Sequence, residues 1–279
     1  MTTIYRGKRD YIIESEGAQY QTEDFSFDAL FQAANPADWL AEKLSNLQPN
    51  QENAELAPQA WLPPLESQEI WAAGVTYFRS RTARMEEAET AGGDIFYDKV
   101  YDAERPELFF KATPKRARGH LAPIRIRTDS TWDVPEPELT LAINSSGQIF
   151  GFTIGNDVSS RSIEGENPLY LPQAKVYRGS CSVGPGLVVG KEAVSPETVI
   201  HLEIRRNGEV GFQGETQVNQ IKRGLDELAG FLFLENEFPD GALLMTGTGI
   251  VPDNDFTLQS GDVVRISIEG LGVLENQVE

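Results

Sequence analysis

The chain has 279 residues, 40% of them hydrophobic, with one cysteine, two histidines and a formal charge of −19. So acidic a balance argues against nucleic acid or anionic membranes as partners, because phosphate-rich surfaces need basic footprints. The lone Cys181 makes no intrachain disulfide and suits a reducing, cytoplasmic setting, while His120 and His201 are too few for a multi-histidine zinc site.

The length allows one large or two modest domains. No apolar run nears the length of a membrane span. The start, MTTIYRGKRD, holds no apolar segment, so no secretory signal is expected. Residues 1 to about 66 read as a small α+β unit. Tyr11-Ile12-Ile13 forms a short strand, and Phe25 to Leu47 has helical character broken at Asn35-Pro36. Pro49 to Pro64, rich in Pro, Gln, Asn and Glu, reads as a linker. Residues 67–279 then form the main unit. Its first strand is IWAAGVTYF, followed by a polar helix over Ser80 to Ala91 that Gly92-Gly93 closes. Leu108-Phe109-Phe110 and Ile124-Arg125-Ile126 are candidate short strands.

Asp133 to Asp157, DVPEPELTLAINSSGQIFGFTIGND, reads as a β-hairpin. A two-residue loop at Ser146-Gly147 suits a tight turn. Ile143 then meets Phe150, Leu141 meets Phe152 and Leu139 meets Ile154. Opposed residues share a face, so this face is apolar and points at a core. The other face carries Thr140 opposite Thr153, Glu138 opposite Gly155 and, further along, Glu136 opposite Asp157. Three carboxylates thus gather at one end of one face. Like charges opposed across strands repel. A divalent cation such as Mg²⁺, Mn²⁺ or Ca²⁺ would resolve the conflict, since oxygen ligands suit hard ions. Pro135 and Pro137 cannot donate to a ladder, so the two glutamates sit at a strand start or edge. On the pattern alone, a plainer reading stays open: solvent-facing glutamates on an amphipathic strand.

Beyond the hairpin, Ser159 to Tyr177 reads as irregular and Leu187 to Phe212 as strands. Val218, Ile221, Leu225, Leu228 and Phe231 recur at helical spacing within Glu215 to Phe231, and Leu243 to Leu274 is strand again. The whole is mostly β with few helices. Gly184-Pro185-Gly186 with Gly190 lacks dinucleotide spacing, and Asp253-Asn254-Asp255 lacks the sixth-position glycine of a calcium loop. No GxSxG elbow, internal repeat or low-complexity tail occurs.

GVTYFRSRTAR (74–84), PELFFKAT (106–113), PEPELTL, GFTIGNDVSSRSIEGENPLYLPQAK (151–175), Gly184-Pro185 and LLMTGTG (243–249) occur in that order. Together they resemble the fumarylacetoacetate hydrolase superfamily over roughly residues 69 to 279. Within it, EGENPLYLPQAK and GVTYFRSR are most similar to the 2-keto-3-deoxy-D-arabinonate (2-keto-3-deoxy-D-xylonate) dehydratases. The resemblance implies a mixed β-roll catalytic domain after a smaller N-terminal one, and Mg²⁺ on Glu136, Glu138 and Asp157. Hydrolases of the superfamily carry a histidine that activates water. Here that position is Ser80, which favours dehydration. Acylpyruvate hydrolysis, oxaloacetate decarboxylation and a silent metal-stabilised binding protein remain alternatives.

The implied substrate is a five-carbon 2-keto-3-deoxy sugar acid, and the product 2,5-dioxopentanoate. By resemblance, Lys175 takes a C3 proton. Glu107, kept dry by Leu108 and Phe109, gives a proton to the C4 hydroxyl. Thr248, Ser80, Glu164 and Asn167 are candidate substrate contacts. So is Arg84, chosen among Arg79, Arg81 and Arg84 because a guanidinium suits carboxylates. The helix from Thr82 to Ala91 is a candidate lid. The family implies a homodimer or homotetramer.

Overall fold

The computed structural model describes residues 1–50, 60–78 and 100–279. The chain opens with a meander, β1 (Thr2–Arg6), β2 (Tyr11–Ser15) and β3 (Ala18–Thr22), followed by helices α1 (Phe27–Gln32) and α2 (Pro36–Ser45). Local chemistry sets both helix starts. Ser26 Oγ accepts from Ala29 N at 3.2 Å, and Asn35 caps α2 with Pro36 at its first position. That cap is the Asn35-Pro36 break expected between two helical stretches.

Next come β4 (Glu69–Gly74), β5 (Glu107–Ala112), β6 (Asp133–Val134), the hairpin β7 (Pro137–Ile143) and β8 (Ile149–Asp157), and β9 (Ser159–Ser160). Two short helices, α3 (Arg161–Glu166) and α4 (Leu171–Lys175), lead to β10 (Cys181–Val189), β11 (Val199–Arg206) and β12 (Glu209–Gln217). Helix α5 (Leu225–Phe233), β13 (Ala242–Met245), β14 (Val263–Ile268) and β15 (Gly272–Gln277) complete the chain. Among the described residues, nine strands make one mixed sheet in the order β3-β2-β1-β10-β8-β7-β13-β4-β5. Four more make a second sheet, β12-β11-β14-β15, and β6 pairs with β9.

The hairpin explains why the site lies where it does. Leu139, Leu141, Phe152 and Ile154 face a core shared with Leu202, Ile204, Val264 and Ile266 of the second sheet, and with Leu228 and Leu232 of α5. The opposite face carries Ala142, Phe150 and Met245 against Phe27, Leu30 and Phe31 of α1. The polar end of that same face holds the carboxylates.

The expected register holds from Leu141↔Phe152 to Glu138↔Gly155. At the tip it does not. Asn144 N donates to Gln148 O at 2.9 Å, so the loop is three residues, Ser145 to Gly147. Ile143 therefore meets Ile149, and a bulge before Ala142↔Gly151 restores the register. Phe150 consequently turns to the α1 side, where its ring meets Phe31 edge-on at 4.8 Å.

Other differences have equally local causes. Across the boundary expected near residue 66 the sheet is continuous, because β1 pairs with β10. Part of the expected linker, residues 51–59, lies outside the described residues. Ile124 makes only an isolated bridge to Val278, not a strand. Within 159–177, Ser159–Ser160 form β9 and most of 161–175 is short helix rather than irregular chain. The C-terminal helix starts at Leu225, since β12 runs to Gln217 and Val218 begins a 3₁₀ turn. Residues 246–262 interrupt the expected terminal strand run.

Because Phe31 joins α1 to the hairpin, Phe31→Ala should cost about 3–5 kcal/mol. Urea unfolding should remain one transition; a separate early transition confined to the first 66 residues would show an independent unit.

Candidate active site

The hairpin register sets Glu138 on β7, and Glu136 just before that strand, beside Asp157 at the end of β8. Asp157 N donates to the Glu136 carbonyl at 3.0 Å, extending the ladder past Pro137. All three carboxylates are buried, Glu136 at 4%, Glu138 at 1% and Asp157 at 0% exposure, which excludes the solvent-facing reading. One oxygen from each lies within 4.8 Å of the others. This all-oxygen group could hold a divalent cation, and its donor set fits a hard ion.

Cationic side chains from three elements surround the trio. Lys175, the last residue of α4, places Nζ 2.6 Å from Glu136 Oε2, 3.0 Å from Asp157 Oδ2 and 3.4 Å from Glu164 Oε1. The same Nζ donates to Ser159 Oγ at 2.6 Å and lies 5.4 Å from the centre of the Phe109 ring. Arg161, opening α3, donates to Glu136 Oε1 at 2.7 Å and lies 3.8 Å from Glu164. Lys111 on β5 pairs with Asp157 Oδ1. Among the described residues, the buried cluster thus sets four carboxylates, with Glu164, against three cations.

The Thr246-Gly247-Thr248-Gly249 turn closes one side. Thr246 N and Oγ1 both donate to the Leu139 carbonyl, which carries the chain along β7 beyond the end of β13. Gly247 N then donates to Glu138 Oε2 at 2.6 Å. Gly247 has φ +90°, and a Cβ there would collide with Thr76 Oγ1, so a side chain is doubly excluded. Burial, then the charges of Asp157 and Glu136, raise the Glu138 carboxyl well above the usual carboxylate range; Lys175 and the Gly247 N–H oppose the shift.

The pocket brings Glu136, Glu138, Asp157, Lys175 and Thr248 together. Glu164 is buried behind Lys175 and Arg161. Glu107 packs its carboxylate against Gly74, a pocket residue whose Cβ would overlap Glu107 Oε2. Of its expected apolar guards, Phe109 lines the pocket while Leu108 joins the core on the other face. Asn167 does not line the pocket; its Oδ1 accepts from Leu169 N at 3.0 Å and caps the turn before α4. Ser80, Arg84, Arg79, Arg81 and the candidate lid helix lie outside the described residues.

Lys111, Ser159 and Arg161 were missed by sequence reasoning. The signal for Lys111 was a lone charge inside the strand LFFKA, which a buried ion pair explains.

Comparison with known proteins shows the family and the fold. Residues 70–279 match the family model described as fumarylacetoacetate (FAA) hydrolase C-terminal. A Haloferax volcanii protein named probable 2-keto-3-deoxyxylonate dehydratase is 44% identical, over 99% of this chain and 94% of its own length. The 2-dehydro-3-deoxy-D-arabinonate dehydratase of Saccharolobus solfataricus is 45% identical over 77% of this chain and 73% of its own. A solved 2-keto-3-deoxy-D-arabinonate dehydratase, complexed with magnesium and 2,5-dioxopentanoate, superposes with a TM-score of 0.83 at 34% identity, covering 100% of this chain and 99% of its own.

The raised Glu138 carboxyl has a stability consequence. It binds its proton more tightly folded than unfolded. The stability it gives is therefore present at low pH and lost as pH rises through the raised folded value. In chelator at pH 8, Glu138→Gln should be more stable than wild type by about 1–3 kcal/mol, with a flatter decline in melting temperature against pH. Magnesium at a hundredfold its Kd should stabilise wild type by about 2.7 kcal/mol and the variant far less. Equal magnesium gains in both would remove Glu138 from the ion site.

Proposed function

The chain belongs to the fumarylacetoacetate hydrolase family, and on that premise we propose that it is a magnesium-dependent dehydratase. Its substrate is 2-keto-3-deoxy-D-arabinonate, which is the same compound as 2-keto-3-deoxy-D-xylonate, and its product is 2,5-dioxopentanoate. The observation that carries the reading is the buried Glu136–Glu138–Asp157 trio with Lys175 against it, in a chain this similar to named dehydratases. The charge balance supports a monocarboxylate ligand. A divalent ion and one such acid would bring the buried cluster of four carboxylates and three cations to neutrality.

A bound magnesium ion would supply a Lewis acid for the keto acid, acidifying its C3 protons. Lys175, charged at rest, takes one of these at Nζ only once its own proton has left, and burial and a dication beside it favour that neutral amine. Its position at the end of α4, with Ser159 Oγ at 2.6 Å, aims the amine along the carboxylate face. Glu107 gives its proton to the C4 hydroxyl, which leaves as water. The C3–C4 double bond so formed shifts as a C5 proton is lost and C3 regains one. The resulting C5 enol tautomerises to the aldehyde. Thr248, in the pocket lining, flanks the substrate's polar end, while Glu164 backs the Lys175 amine. The family resemblance and the single buried cysteine support a cytoplasmic homodimer or homotetramer serving pentose breakdown.

Purified protein with 2-keto-3-deoxy-D-xylonate and magnesium should release the semialdehyde, and chelator should abolish this. Pyruvate from acylpyruvates, or CO₂ from oxaloacetate, in place of semialdehyde would replace dehydration with the sister chemistry. Lys175→Ala should bind magnesium yet lose C3 proton exchange, seen by NMR in D₂O. Glu107→Gln should lower kcat by about 10²–10⁴-fold. Unchanged turnover in either variant would sink that residue's role.

A further inference from the structure

Lys111 has no part in the chemistry above, and it is among the largest fully buried side chains, at 0% exposure. It does not line the pocket. Its ammonium has three N–H donors and meets three acceptors from two other elements. One is Asp157 Oδ1 on β8. The second is the carbonyl of Val158, just past β8, at 3.1 Å. The third is the carbonyl of Lys175, the C-terminal residue of α4, at 2.6 Å. Helix C-termini leave orphan carbonyls that a cation satisfies well. One side chain from β5 therefore grips an acidic ligand residue and the backbone of the lysine beside it.

We propose that Lys111 is a positioning residue for the reaction, an inference that rests on the dehydratase reading. It occupies Asp157 Oδ1, so Asp157 turns one oxygen rather than two to an ion. It also fixes the Lys175 backbone against β8, which sets how far the Lys175 amine reaches over the substrate carbon. The two effects have opposite signs when Lys111 is removed. Losing a cation beside Asp157 strengthens ion binding. Losing the tether misplaces the amine, and a shift of about 1 Å can cost roughly a hundredfold in rate.

The test compares wild type with Lys111→Met, which keeps the chain length without donors, and with Lys111→Gln. Mn²⁺ affinity is measured by calorimetry, and kcat and KM with the sugar acid. The expected result is Mn²⁺ bound at least about threefold tighter, with kcat lower by about a hundredfold and KM within about threefold. A general structural lesion would weaken both binding and turnover, so the opposed signs separate positioning from support. Weaker Mn²⁺ binding, kcat near wild type, or failure of both variants to fold overturns the proposal. Failure of the dehydratase reading shows differently, as a wild type inert toward the sugar acid. The sign of the Mn²⁺ change then decides the role of Lys111 alone.

Discussion

Mutual repulsion among buried carboxylates is the constraint on which the rest of this structure depends. Removing an ion from water costs several kcal/mol even after relaxation, and a neighbour of like charge adds to that cost. The chain places Glu136, Glu138 and Asp157 together at almost zero exposure. Each is answered by a donor from a different part of the sequence. Arg161 serves Glu136, Lys111 serves Asp157, Lys175 bridges both, and the Gly247 N–H serves Glu138. Hydrophobic replacement of buried ion pairs is often neutral or stabilising. Their concentration here is therefore a matter of chemistry rather than stability.

The nine-stranded sheet makes that concentration possible by dividing one face in two. Near the hairpin tip, α1 covers the face with aromatic side chains, while at the open end the same alternation presents carboxylates. A slip of one residue would send Glu138 into the apolar core and Leu139 into the site. The bulge at Phe150 prevents this. It absorbs the odd residue of the three-residue loop and returns the strands to the register that aligns Glu138 with Gly155. The same bulge points Phe150 at Phe31, so the contact that fastens α1 and the register of the acidic trio have one cause.

What could be read in the sequence follows from how local each signal is. Alternation within β7 and β8 is short-range, so the apolar face and the carboxylate trio were both legible. Asn35-Pro36 likewise marked a helix start. The pairing of β1 with β10 joins strands from opposite parts of the chain, Thr2 with Val189 for one, and has no local signature, so residues 1–66 read as a unit of their own. Val218 and Ile221 kept helical spacing with Leu225 although they belong to a turn and a loop, because apolar spacing cannot tell a helix from a strand end folding over the same core. Asn167 looked like a site residue from its motif, yet its amide serves a cap, a use that asparagine meets in any turn. Lys111 and Arg161 were invisible as partners because the Asp157 and Glu136 carboxylates they meet lie far off in the sequence.

On the proposed reading, the acidic trio and a bound ion account for keto-acid activation but not for which bond breaks next. That choice depends on what stands near C4. Here Gly74 has no side chain, and the space its Cβ would take is filled by the Glu107 carboxylate. The register Gly74↔Glu107 puts this acid at the edge of the pocket, with Phe109 from the same strand lining the wall. If Glu107 is the proton donor proposed above, its place there on a strand pair suits a leaving hydroxyl. Carbon–carbon cleavage by water would instead need a base, and the family resemblance implies a histidine where this chain has Ser80. On the proposed reading, the bond that breaks is thus selected by a histidine missing from the sequence and a permissive glycine in the sheet.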